Sequence, residues 1–139
     1  MNEVYFIIEG DLVPWKRPRF NGKSKHVYED ATVKSWKERV REAYHSEAGN
    51  WMWEKDIPLE CVVNIYFNVP VSASKSVKKK LILFKRPTKR PDNDNAYKGI
   101  TDALNSIAYY DDSQIVDTRV RKFWAEQSRT EVIIREVKI

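Results

Sequence analysis

The chain has 139 residues, 42% of them hydrophobic, and its 25 Lys and Arg against 20 Asp and Glu give a formal net charge of +5. That length predicts one domain, residues 1–139, with enough apolar material for a core of its own. No apolar run approaches the roughly 18 residues of a membrane span. Met1-Asn2-Glu3 lacks the basic start of a secretory signal, and the single cysteine, Cys61, excludes an internal disulfide and a Cys-rich zinc site. A cytoplasmic protein without a membrane partner is expected.

In chain order, Glu3–Glu9 is a compact β-branched and aromatic run that reads as a strand. Gly10–Tyr28 reads as a basic loop carrying two prolines. Ala31–Ala48 has apolar residues at helical spacing (Val33, Trp36, Val40, Ala43, Tyr44), with Asp30 placed to cap it and Gly49 to close it. Trp51 and Trp53 follow in a connector. Leu59–Val69 alternates cleanly, with Leu59, Cys61, Val63, Ile65, Phe67 and Val69 on one side; Cys61 is expected as a small core residue. Val71–Arg90 reads as a basic connector that gains order on DNA, with a short apolar patch at Leu81–Phe84. A second helix is expected from about Asn95 to Ser106, then strands at Ile115–Trp124 and Glu131–Ile139 joined by a polar turn. The predicted fold is α+β: a mixed β-sheet with two main helices packed on it, in the order β-α-β-α-β-β.

Charge is unevenly spread. Eight Lys or Arg and no acid lie between Val71 and Pro91, whereas six aspartates and one base, Lys98, lie between Asp92 and Asp117. Such a boundary suits a basic surface for phosphates beside acids that hold a metal, and equally a solvated lysine loop beside a polar helix. The informative segment is Arg90-Pro91-Asp92-Asn93-Asp94-Asn95. If it is extended, Asp92 and Asp94 point to the same side, and a strand returning beside the second helix would add a carboxylate from Asp111-Asp112. Two carboxylates about 4 Å apart repel by about 4 kcal/mol at an effective dielectric of 20, so a cluster needs a cation or a proton. Oxygen-only ligands suit Mg²⁺, Mn²⁺ or Ca²⁺ rather than zinc, and Mg²⁺ suits phosphodiester hydrolysis. The competing reading makes Asp92–Asn95 a helix cap and Asp111-Asp112-Ser113 a plain turn. Lys98 lies one turn from both Asp94 and Asp102, so it reads either as a phosphate contact or as a partner in an ordinary ion pair; Asp102 reads as a structural partner of Lys98.

These residues resemble a known family. The stretch RPDNDNAYKGITDALNS followed by YYDDSQIVDTRVRKFW is similar to the RusA-type crossover-junction endodeoxyribonucleases, through Pro91, Asp92, Asp94, Asn95, Lys98, Asp102–Leu104, Asp111, Asp112, Gln114, Ile115 and Lys122. Trp15–Phe20 resembles that family's basic N-terminal segment. The resemblance implies Mg²⁺-dependent paired nicking of four-way DNA junctions by a homodimer, with Mn²⁺ as a possible substitute for the metal. It implies Asp92, Asp94, Asp112 and Lys98 as catalytic residues, and Asp92, Asp94, Asp112 and Asp111 as metal ligands. Two departures stand out: Ala96 replaces a larger apolar residue, and Ser106 replaces a common Gly. The two-fold symmetry of a junction fits two copies of a one-site subunit.

DNA contacts are expected from Lys16, Arg17 and Arg19 around Pro18, from Phe20 as a wedge into an opened branch, and from Lys89, Arg90 and Lys122. Each basic group also has a solvated reading, and Lys122 can face either side of its strand. His26 and His45 fit no pattern. The alternative function is a module that binds branched or duplex DNA without cutting it; a carboxylate cluster beside phosphates argues against that.

Overall fold

Alternation writes the sheet. In β1 (Glu3–Glu9) every second residue, Val4, Phe6 and Ile8, is buried, as the two-residue period of a half-covered strand requires. β4 (Leu59–Asn68) buries Leu59, Cys61, Val63 and Ile65, and β6 (Arg129–Glu136) buries Thr130, Val132 and Ile134. With β5 (Ile115–Ala125) they form a mixed four-stranded sheet in the order β1-β6-β4-β5. β6 runs antiparallel to both β1 and β4, and β4 runs parallel to β5. The computed structural model describes residues 2–138.

Two helices cover the inner face of the sheet. α1 (Ala31–Ala48) begins at Asp30, whose carboxylate accepts the Thr32 N–H at 2.9 Å, and turns its buried stripe of Val33, Trp36, Val40 and Tyr44 inward. α3 (Asn93–Leu104) buries Ala96, Ile100, Ala103 and Leu104. Arg41 of α1 donates to the Ala103 carbonyl at 2.8 Å and ties the two helices together. One apolar cluster joins β1, β4, β6, α1 and α3. The α+β class and the mixed sheet agree with the sequence reading, and α1 has the predicted bounds.

Four features differ from expectation. The basic N-terminal loop contains a two-stranded hairpin, β2 (Arg19–Asn21) with β3 (His26–Tyr28). The basic connector contains a third helix, α2 (Lys75–Phe84), capped by Ser74 and without a buried residue. β5 and β6 are not a hydrogen-bonded hairpin: β4 lies between them, and the short link crosses its end, where Val69 N–H donates to the Ala125 carbonyl. β6 stops at Glu136, and the expected end of that strand at Ile139 lies outside the described residues. Among the described residues no helix is long and apolar enough to cross a membrane.

Candidate active site along helix α3

α3 starts two residues earlier than expected, at Asn93, with Asp92 as its N-cap. The extended-chain argument for Asp92 and Asp94 therefore fails: Asp94 lies in the first helical turn, where residues two apart no longer share a side. Asp92 makes no capping bond with its side chain, so its carboxylate is not used up in ending the helix. Asn93 takes the structural part instead, its amide donating to the Val120 carbonyl at 3.3 Å and fastening the helix start to β5.

β5 does return beside α3, in the opposite direction. Asn93 meets Val120 at one end, Tyr97 meets Thr118 in the middle, and Asn105 just past the helix accepts the Asp112 N–H at 2.9 Å. Asp112 therefore sits toward the far end of α3. Burial raises its carboxyl above the usual carboxylate range, and the charges of Asp111 and Asp102 add to that rise. Asp94 and Asp102 are separated by roughly 12 Å of helix rise, with Lys98 between them. Among the described residues no three His, Cys, Asp or Glu stand together as a group that could hold a metal ion.

Asp111 has a local task. It opens a short 3-10 turn (Asp112–Gln114), accepting the Ser113 N–H at 3.0 Å, and that bond, with the Ser113 hydroxyl, lowers its carboxyl pKa. Gln114 locks the same turn: its side-chain oxygen accepts from the Tyr110 N–H, and its amide donates to the Glu54 and Ile57 carbonyls.

Lys98 forms neither of the ion pairs that its helical spacing allows. Among the described residues its ammonium pairs with no carboxylate and lies 3.9 Å from the centroid of the Trp15 ring. A cavity of about 550 Å³ opens at the Trp15 ring, lined among others by Trp15, Phe67, Asn68, Lys89 and Asp92 but not by Lys98. Lys122 shares the helix-facing side of the sheet with Ile65, its partner in register on β4. It donates to the Lys89 carbonyl at 2.8 Å, while Arg86 donates to the Lys122 carbonyl. Lys122 thus braces the loop that delivers Arg90, Pro91 and Asp92.

Of the N-terminal bases, Lys16 and Arg19 lie 3.8 and 3.6 Å from Asp30, at the start of α1, with both cations largely exposed. The Thr32 hydroxyl holds the Asp30 carboxyl below the usual range. Arg17 is exposed, and Phe20 on β2 is 65% exposed. The sequence reading missed Trp15, Asn93 and Gln114 as organisers of the site. Gln114 at least lies within the family motif, but an aromatic within a basic loop carries no signal that it will cover a lysine some 80 residues away.

The fold and site define a basic α+β protein that arrays acids and one unpaired lysine along a single helix, next to cationic loops. Residues 9–135 match the family model of the endodeoxyribonuclease RusA. The chain is 39% identical to the uncharacterized protein YqaN of Bacillus subtilis (strain 168), across 99% of both chains. It is 35% identical to the crossover junction endodeoxyribonuclease rusA of Lactococcus phage r1t, across 61% of this chain and 60% of that protein. The chain belongs to the RusA family of endodeoxyribonucleases.

Proposed function

We propose that the protein is a divalent-cation-dependent, structure-selective endodeoxyribonuclease that resolves four-way DNA junctions by paired phosphodiester hydrolysis, acting as a homodimer. The observation that carries this reading is α3 itself. Its first two turns present Asp92, Asp94 and an unpaired Lys98, with Asp112 held across from its far half. The name of the phage relative supports junctions as the substrate.

The donor set fits Mg²⁺, with Mn²⁺ as a substitute. It is all carboxylate oxygen, and Asp92 is free of capping duty. Mg²⁺ needs only one or two carboxylates when water and phosphate oxygens fill its remaining positions, so it would be held by one or two of Asp92, Asp94, Asp112 and Asp111. When bound, it supplies an activated water and counter-charge at the phosphate. Lys98 stabilises the negative charge that builds on the scissile phosphate. Asp112 is the third catalytic carboxylate, set across from the far half of α3 by its N–H on the Asn105 side-chain oxygen. Lys16, Arg17, Arg19, Lys89, Arg90 and Lys122 hold the flanking phosphates, and Phe20 lies exposed for stacking at the branch.

The test uses a labelled four-way junction and a matched duplex, each with Mg²⁺ or with EDTA, beside Asp94→Asn. The expected result is paired symmetric nicks in the junction alone, lost with EDTA and reduced by at least about a hundredfold in the variant while binding persists. Binding without cutting under Mg²⁺ or Mn²⁺ would leave a DNA-binding module in its place.

A further inference from the structure

Lys98 carries much of the proposed chemistry on a long, freely rotating side chain. With Asp94 four residues before it and Asp102 four residues after, the ordinary resting place of its ammonium is an ion pair along the helix. Among the described residues it rests on neither. It lies over the Trp15 indole, 3.9 Å from the ring centroid.

The indole is itself anchored to the helix that carries the lysine. The Trp15 backbone N–H donates to the Asn95 carbonyl at 3.0 Å. The loop lies flush against α3 at Gly99, where an added Cβ would stand 3.4 Å from both the Trp15 nitrogen and the Val13 oxygen. The loop thus packs directly on the turn of α3 that carries Lys98, and this brings Trp15 over the lysine. A π-face attracts a cation without neutralising it, unlike a carboxylate, which would take both its charge and its hydrogens.

We propose that Trp15 is the positioning residue for Lys98: its ring holds the ammonium off the two helix carboxylates, leaving it available to the scissile phosphate. This rests on the nuclease reading above. Trp15 acts through Lys98 and touches none of the reacting atoms.

The experiment measures single-turnover junction cleavage with Mg²⁺ and junction affinity in EDTA, for the wild type, Trp15→Leu, Trp15→Phe, Lys98→Ala and the Trp15→Leu/Lys98→Ala double variant. Trp15→Leu is expected to slow cleavage by roughly three- to fivefold, the worth of an exposed cation–ring contact, with affinity within about twofold. Trp15→Phe restores most of the rate, and Trp15→Leu adds nothing once Lys98 is gone. A full additive loss in the double variant, or an equal loss of affinity, would overturn the proposal. A separate readout needs no cleavage: the Lys98 ε-methylene protons of the free protein should carry an upfield ring-current shift that Trp15→Leu removes, and its absence from the wild type would also overturn the proposal. A wild type that binds junctions without cutting them would sink the nuclease reading and Trp15's part in cleavage, while the spectrum would still decide whether the ring holds the lysine.

Discussion

Ser106 follows the Asp102–Asn105 run and has φ 63°, the left-handed region that costs an ordinary L-residue about 1 kcal/mol or more and a glycine almost nothing. Its N–H closes the turn onto the Tyr109 carbonyl, so the backbone has little freedom to relax. The Gly expected here by resemblance thus has a steric reason, and Ser106→Gly should raise unfolding stability by up to about 1 kcal/mol in urea titrations without changing cleavage. Asp112 shows the opposite economy. Its folded pKa lies above its unfolded one, chiefly through burial. The native state therefore holds that proton more tightly, and stability falls as pH rises from the unfolded value through the raised one. Asp112→Asn should be the more stable protein near neutral pH without divalent cations, by under about 1 kcal/mol because the group is only partly buried. The difference should vanish at about pH 3, where both side chains are neutral. The same variant should lose cleavage. Equal stability near neutral pH would mean that the carboxylate is not strained in place.

Among the elements, β1, α1 and β4 were legible because each presents one face to the core and writes that face as a period of two or of 3.6 residues. α2 was not, since it buries nothing. Val77, Leu81 and Phe84 do fall at helical spacing, but three apolar residues within a lysine run are a short signal, and the position of α2 is set by contacts outside it, such as Arg86 over the Phe123 ring and on the Lys122 carbonyl. The partners of β5 and β6 were hidden for a different reason: a short polar link suggests a hairpin, and only the competing claim of β4 for both strands excludes it. At the site, the spacing of Asp92, Asp94 and Lys98 was legible while their geometry was not, because the strand-or-helix choice at Asn93 decides which side chains share a face. α2 also supports a prediction. Lys75, Lys79 and Lys80 are exposed, Lys78 is half-buried, and none has an acid on its own segment. Lys78→Gln, Lys79→Gln and Lys80→Gln together should reduce the salt dependence of junction binding, by up to about 0.9 in the log–log slope for each phosphate no longer neutralised. They should leave thermal stability almost unchanged, and an unaltered slope would place α2 off the DNA.

Across the whole molecule, helices and sheet divide the work. α1 and the inner face of the sheet supply the core, and α3 belongs to both worlds, with Ile100 and Leu104 buried while Asp94 and Lys98 look outward. The linker of residues 85–92 runs from α2 to the helix start and is pinned midway by Lys122. A change in what α2 touches is therefore made on a segment that costs the core nothing. Genes tolerate change most readily where folding does not object, and α2, which buries no residue, is such a place: a ten-residue cassette next to the proposed active site. If α2 meets the DNA as the salt-dependence prediction expects, the range of DNA forms accepted can diversify there while the acids and the lysine stay fixed.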